Sequence, residues 1–500
     1  MTKEKVIAKW EKVKEVYIKL VNPEFCLYMV IAISLVCIIL GICLQKPNVG
    51  LIAITIILIY NLCYGLANLR ERFLFVLFNI MMFTFIIDRP MINAFRGVKW
   101  WNNFSITTIM KSLSAIYLAE FCLLLGSVLS KKLQQLKNKK NKEKIHKSKT
   151  LYVETILIIL IIITGITNAY MEIFKYISMR NLDYSIIYTS NIKRFPVIIR
   201  TLGDLFQYTV LAYLATMPNK KKSMWVLTIF CLLGMPSFLL GVRNIIVLRF
   251  VFTVVYIMIR EFYFSGGEKW IKRQTKVISI ILVPIMLITL GAYNYIRDDE
   301  KVITKSPIKL IVDFFYKQGT SFDTVCQGFE NEKEIRNLGK TINYTFGDII
   351  DYVIHNSISQ KIFGTTDLGS GNNINMVKYS NSMAHKLSYV VMGEKVYLTG
   401  HGRGTSFIIE TYMDAGFFGI AIYSMGISIF LSNIVNLMKK ENFIITYIVL
   451  TAIFNIFLLP RYSASGFITF IVTPQFWSIP VFINTISWII NQKERRSSGR

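Results

Sequence analysis

Residues 105–130 read SITTIMKSLSAIYLAEFCLLLGSVLS, residues 131–150 read KKLQQLKNKKNKEKIHKSKT, and residues 151–171 read LYVETILIILIIITGITNAYM. The first and third stretches are each long enough for the roughly 20 apolar residues that a helix needs to cross a bilayer core. The stretch between them carries nine lysines. Short lysine-rich links between apolar blocks mark loops held on the cytoplasmic side. Two spanning helices joined by an inside loop are therefore predicted, and this sets the phase for the rest of the chain.

Apolar blocks continue in both directions. Before the pair lie 24–44, 50–67 and 72–91. After it come 196–217, a seventh ending at Gly241, an eighth starting almost at once, 277–296, 404–438, 443–459 and 464–490. That makes about twelve spans of membrane length. The 404–438 block is long enough to be broken near Asp414-Ala415-Gly416. A transmembrane barrel would show short alternating strands instead. With 53% hydrophobic residues and a mean hydropathy of +0.46, the composition agrees with helices in lipid.

Alternation from the 131–150 loop puts the other basic links inside: Arg70 and Arg72, Lys220 to Lys222, Arg260 to Lys276, Lys439 and Lys440, and the tail from Lys493. Both termini are expected to be cytoplasmic. Residues 5–20 read as an interfacial helix on that surface, with Val6, Ile7, Trp10, Val13, Tyr17 and Leu20 near one face. Trp100 and Trp101 are expected at a membrane interface on the outer side. The long polar stretch 297–403 falls outside, with thirteen Lys or Arg against twelve Asp or Glu. The domains expected are 1–296 (nine spans and the interfacial helix), 297–403 (a large extracytoplasmic loop), 404–492 (three spans) and 493–500 (a cytoplasmic tail).

The formal net charge of +27 does not indicate nucleic acid, because the cations sit in short loops and suit topology and anionic lipid. Six of the seven cysteines fall in apolar blocks and only Cys326 in the outer loop, so no disulfide framework or CxxC metal site is expected. The first block lacks a small-residue cleavage pattern, and no cleavable signal is expected. The short outer turn Gln45 to Val49 has no acidic residue, and the run Asp298-Asp299-Glu300 reads as a solvated loop start rather than a metal site. No metal or cofactor is expected. No Walker, GxGxxG, HExxH or GxSxG motif is present.

Ionisable residues at span ends are costly and mark function by default. Arg89, Arg243, Arg403 and Arg461 all fall at outer ends, where the positive-inside rule does not explain them. Arg200 is a further candidate. Arginine bonds phosphate bidentately and keeps its charge in any setting, so convergence in one pocket would suit a lipid diphosphate. The blander reading is snorkelling to headgroups, or pairing with an acid, as Arg89 with Asp88.

The richest stretch is His401-Gly402-Arg403-Gly404-Thr405-Ser406, running into Phe407-Ile408-Ile409-Glu410-Thr411-Tyr412-Met413-Asp414. Its glycines let backbone approach a ligand, and Thr405 or Ser406 can cap the helix that follows. Glu410 is a candidate general base for a sugar hydroxyl, or else part of a structural ion pair. His401 is a second candidate base. Asp414 reads more readily as structural. Tyr412 and Gln318 are candidate supporting or glycan-binding residues. His355 and His385 read as ordinary loop residues.

FTFIIDRPM around Arg89, LAYLATMPNKKKS at 211–223, FLLGVRN around Arg243, DFFYKQGTSFD at 313–323 and GHGRGTSFIIETYMDAGFFG at 400–419 resemble the Wzy-type polysaccharide polymerases, in particular the O-antigen polysaccharide polymerase branch. The resemblance implies an all-α, polytopic, GT-C-like membrane protein of the bacterial cytoplasmic membrane. It implies a metal-independent glycosyltransferase acting on the outer face, which transfers the growing chain onto a new undecaprenyl-diphosphate-linked oligosaccharide and releases undecaprenyl diphosphate. The product would be O-antigen, capsule or exopolysaccharide. Membrane lipids, a chain-length regulator and a flippase are implied partners. A lipid-linked glycan ligase shares the pocket logic. An oligosaccharide-lipid flippase should instead keep its charges in a central cavity and lack a long outer loop.

Overall fold

The structure is a computed structural model that describes residues 23–137, 151–180, 195–242, 244–272, 283–293, 295, 306–339, 341–440 and 442–498. The expected interfacial helix at 5–20, most of the lysine loop, Arg243 and the 298–300 acidic run lie outside the described residues. Those described are helical, with no strand among them.

In chain order the helices are α1 Pro23–Cys43, α2 Pro47–Ala67, α3 Leu69–Met82, α4 Asp88–Phe95, α5 Ile106–Lys137, α6 Leu151–Met179, α7 Val197–Ala215, α8 Lys220–Leu232, α9 Met235–Leu239 and α10 Asn244–Tyr263. A short apolar helix, α11 Val283–Tyr293, precedes the polar stretch. That stretch holds α12 Pro307–Gln318, α13 Ser321–Glu330, α14 Glu332–Asn337, α15 Gly347–Ile354, α16 Ser357–Phe363, α17 Ile374–Tyr379, α18 Met383–Met392 and α19 Glu394–Leu398. The chain then returns to the bundle with α20 Phe407–Met438, α21 Phe443–Ile456 and α22 Pro474–Ser498.

Among the described residues seven segments are long and apolar enough to cross a membrane: Cys26–Cys43, Pro47–Ala67, Leu69–Phe95, Ile106–Lys132, Tyr152–Met179, Lys220–Leu239 and Phe407–Met438. The other five blocks of the twelve-span expectation are helical but shorter, broken or more charged. α7 carries Arg200 and Asp204, α10 carries Arg249 and Arg260, and α21 has 14 residues. The last block is divided between a 3₁₀ turn, Thr469–Val472, and α22.

Lipid offers no hydrophobic push between helices, so close backbone approach and buried polar contacts join them. α5 and α20 form the central pair. An added Cβ on Gly126 would lie 2.5 Å from the Met425 carbonyl oxygen and 2.9 Å from Ser428 Cβ. Further along the crossing, Asn433 Nδ2 donates to Ser130 Oγ at 2.7 Å. α2, α3 and α5 meet at a buried polar knot, where Asn61 Nδ2 donates to Asn79 Oδ1 at 3.0 Å and to Glu120 Oε2 at 2.8 Å. α6 and α7 pack through Gly165 and Gly203, with the Thr164 and Thr209 hydroxyls 2.9 Å apart.

The two ends of the bundle differ. At one, Lys222 pairs with Glu154 at 2.7 Å, near the basic 218–223 link. At the other, the polar stretch packs over the start of α5. Trp100 stacks edge-on against Phe322 of α13 at 5.5 Å, and its indole N–H donates to Asn48 at 3.1 Å. Trp100 is thus buried as a seat for the polar stretch.

Gly126→Ala is expected to lower the melting temperature of the purified protein in detergent, because backbone blocks the new methyl. Gly426→Ala, on α20 with open space beside it, should be neutral or stabilising by up to ~1 kcal/mol.

Candidate functional site

The site begins where α3 ends. Pro90 has no N–H to offer the preceding turn, and residues Phe83–Ile87 widen into a π-helical turn just before it. Such turns recur at functional sites. The Asp88-Arg89 corner follows. Asp88 is buried, and its Oδ1 accepts the Arg89 backbone N–H at 2.6 Å. The Arg89 guanidinium turns away from Asp88 and pairs with Asp323 of α13 at 3.0 Å. The Asp88 pairing considered from the sequence is therefore replaced by a partner more than 200 residues away.

The link from α12 to α13 lies directly on this corner. A Cβ on Gly319 would stand 2.0 Å from Asp88 Oδ1 and 2.6 Å from Arg89 Cβ. The preceding residue, Gln318, accepts through Oε1 from Arg461 Nη1 at 2.7 Å. Arg461 ends the 3₁₀ turn Leu459–Arg461, with its guanidinium 5.8 Å from the Phe85 ring. Arg403 approaches from a third direction. Its backbone N–H donates to Ser388 Oγ of α18 at 2.9 Å, and its charge acts on Asp323. Burial raises the Asp323 carboxyl above its ordinary value, while Arg89 and Arg403 pull it back down.

Arg89, Arg403 and Arg461 thus come from three distant parts of the chain to one neighbourhood, organised by Gln318 and Asp323. A fourth arginine lies close by. The Tyr316 ring has Arg89 4.9 Å away and Arg96 5.5 Å away, and Arg96 reaches Asp313 at 3.5 Å. Arg243 lies outside the described residues. The cluster gathers guanidinium groups from distant parts of the chain at the end of the bundle away from the basic 218–223 link. That arrangement suits a multiply charged anion.

Over residues 26–494 the chain matches the family model described as O-antigen polysaccharide polymerase Wzy. The chain belongs to this family. No curated protein and no solved structure matches it. Wzy membership implies polymerase activity of glycosyltransferase type, a lipid-linked oligosaccharide substrate in the membrane, and a multi-pass protein of the bacterial inner membrane.

The remaining Wzy site candidates divide by burial. Ser406 caps α20, its Oγ accepting from Ile408 N at 3.4 Å. Glu410, one turn on, is 2% exposed, and its carboxylate accepts from Ala464 N at 2.7 Å. The Ser463 hydroxyl lies between Glu410 and Asp348. Glu410 therefore grips the loop immediately after Arg461. His401 is exposed, with Nδ1 2.9 Å from Thr399 Oγ1. Gly402 lies beside Ser388 Oγ. Gly404 has φ +76° and faces the Arg461 carbonyl, a conformation that favours glycine. The Tyr412 hydroxyl donates to Glu332 at 3.3 Å, and its ring meets Phe329.

Asp414 holds the backbone of another segment rather than an arginine. It accepts from Tyr344 N at 2.8 Å, Thr345 N at 2.6 Å and Thr345 Oγ1. Directly after it α20 breaks, with Ala415 at φ −141° and Gly416 at φ 61°, ψ −152°. Only glycine readily adopts the latter.

Several residues here were not singled out from the sequence: Asp313, Tyr316 and Asp323 in the cluster, and Asp348, Asp351 and Lys386 beneath it. Lys386 is fully buried with no hydrogen-bond partner on Nζ among the described residues. Burial lowers its ammonium, and Asp351 opposes that shift. The DFFYKQGTSFD stretch contains three of the six, so the signal was present as a motif but not as individual roles.

Asp414→Ala should lower the melting temperature in detergent by removing an acceptor of three hydrogen bonds, a loss on the order of 1–3 kcal/mol. Asp414→Asn, which keeps one acceptor oxygen, should lose less.

Proposed function

We propose that this chain joins undecaprenyl-diphosphate-linked repeat units into a surface polysaccharide on the extracytoplasmic face of the cytoplasmic membrane. The convergence of Arg89, Arg403 and Arg461 on the Gln318–Asp323 elbow is the observation that carries this reading. A diphosphate leaving group gathers negative charge as its bond to the sugar breaks, and fixed guanidinium groups stabilise that charge. The bound anion takes over from Asp323 as the partner of Arg89 and Arg403.

In the reaction, a hydroxyl oxygen of the incoming lipid-linked unit attacks the anomeric carbon at the lipid end of the growing chain. The bond from that carbon to the diphosphate oxygen breaks, and undecaprenyl diphosphate leaves with the electron pair. The hydroxyl proton passes to a base, for which the exposed His401 is better placed than the buried Glu410. Glu410 is assigned to holding the 463–464 backbone, and with it Arg461. The acceptor is oriented by the polar stretch above the bundle, so that much of the acceleration comes from positioning. Arginine supplies the charge stabilisation that a divalent ion would otherwise provide, so the reaction is metal-independent. The remaining membrane segments complete a layout of about twelve spans of GT-C-like kind.

Purified protein incubated with a synthetic undecaprenyl-diphosphate repeat unit should give a ladder on a gel, with or without EDTA. Arg403→Ala and Arg461→Ala should each slow ladder formation by roughly 10²–10³-fold, the loss typical of one lost charge-stabilising donor. A ladder abolished by EDTA and restored by a divalent ion would refute metal independence. Unchanged rates in both arginine variants would remove the diphosphate assignment.

A further inference from the structure

Two short helices of the polar stretch, α15 and α16, form a hairpin whose surface is the reverse of what water favours. Val353, Ile358, Ile362 and Phe363 point outward, and Phe363 is 76% exposed. Asn356, Ser359, Gln360 and Thr365 are half-buried and bond the backbone of the hairpin itself. The last carbonyls of a helix normally bond to water, yet at the end of α15 side chains serve each in turn. Asn356 Nδ2 donates to Tyr352 O at 3.1 Å and to Val353 O at 2.7 Å. Thr365 Oγ1 donates to Ile354 O at 2.8 Å, and Gln360 Nε2 to His355 O at 2.7 Å. Asn356 Oδ1 also caps the start of α16, accepting from Ile358 N and Ser359 N. In water such bonding is one option among several. In hydrocarbon it is required, because an unsatisfied backbone group there costs several kcal/mol.

The position of the hairpin agrees. α15 packs on the Thr469–Val472 turn. The next residue, Thr473, hydrogen-bonds the Tyr208 hydroxyl on α7. Tyr208 neighbours Thr209, whose hydroxyl meets that of Thr164 inside the candidate span Tyr152–Met179. Tyr208 is 11 residues beyond Val197, the first of α7. At 1.5 Å per residue that is about 16 Å along the helix. Val197 and Ile198, at the start of α7, are themselves exposed. The hairpin therefore stands beside α7 partway along its length, where Tyr352 acts on Tyr208.

We infer that the α15–α16 hairpin lies in the hydrocarbon of the adjacent leaflet, with its apolar face against acyl chains and its polar face closed on itself. Lys361, exposed on α16, reaches up to the headgroups as long cationic side chains do. The opposite side of α15 carries Asp348 and Asp351, and Asp348 meets Ser463 beside Glu410. The hairpin is thus a thin wall between lipid and the interior beneath the arginine cluster. This inference assumes nothing about the reaction.

The test uses the unaltered chain in nanodiscs made with a phospholipid bearing a photoactivatable diazirine midway along one acyl chain. After illumination and digestion, the peptide spanning Val353 to Phe363 should carry lipid at a level comparable with the exposed face of α1. Labelling of that peptide by a water-borne diazirine instead, or its crosslinking to a second copy of the protein, would overturn the inference. As a second measurement, Phe363→Cys and Ser370→Cys are made with the seven native cysteines, all free, replaced by alanine. Each is labelled with a fluorophore. The label at 363 should be quenched by doxyl groups on acyl chains and shielded from iodide, and the label at 370 the reverse. Quenching of the 363 label by iodide alone would sink the proposal, whatever the polymerisation assay shows.

Discussion

Beside the arginine cluster a glycine stands against an aspartate with no room for a side chain. Gly319 presses on the Asp88-Arg89 corner so tightly that any side chain would overlap Asp88 Oδ1. This contact ties the polar stretch to the bundle. It holds Gln318 where Arg461 can reach it and starts α13, which brings Asp323 to Arg89. Backbone contacts of this kind are stiff, because nothing in them can swing aside. Positioning of charge near a reacting centre tolerates little looseness, and a glycine elbow provides that stiffness without a long side chain to order.

The arginines are placed by a second set of buried polar groups. Glu410 grips Ala464 N, three residues beyond Arg461, and Ser388 holds the Arg403 backbone. Asp414 pins residues 344–345 before α20 breaks at Gly416. Glu410 and Asp414 thus hold backbone in place around the cluster, while the guanidinium groups of Arg89 and Arg461 are held by Asp323 and Gln318. Burial explains the division. A carboxylate as buried as Glu410 is closed off from a sugar hydroxyl, while a guanidinium keeps its charge at any depth.

Much of this was legible in the sequence because the bilayer imposes simple rules. Span lengths, lysine-rich links and arginines at span ends are one-dimensional signals: the first two match α1 to α6, and the last singled out Arg89, Arg403 and Arg461, which the fold brings near one another. The break at Ala415-Gly416 was visible because the 404–438 block was too long for one straight span. Partners were not legible. Arg89 lies one residue from Asp88 and bonds Asp323, since pairing across more than 200 residues depends on how helices return to one end of the bundle. Trp100 read as an interfacial anchor for the same reason. Its neighbours in sequence say nothing of Phe322 or Asn48, which bury it.

The α15–α16 hairpin shows where sequence reading of a membrane protein breaks down. Its helices have eight and seven residues, far below spanning length, so a search for apolar blocks passes over them. Yet the chemistry of Asn356, Ser359, Gln360 and Thr365 follows the same constraint that governs the long helices, with the carbonyls at the end of α15 served from within. In a spanning helix the ladder itself meets that constraint. In a hairpin too short for a ladder, side chains must meet it, and a stretch rich in Asn, Ser, Gln and Thr then looks soluble while it is built for lipid. Polar composition is therefore a poor guide to depth wherever the polar side chains are occupied with their own backbone.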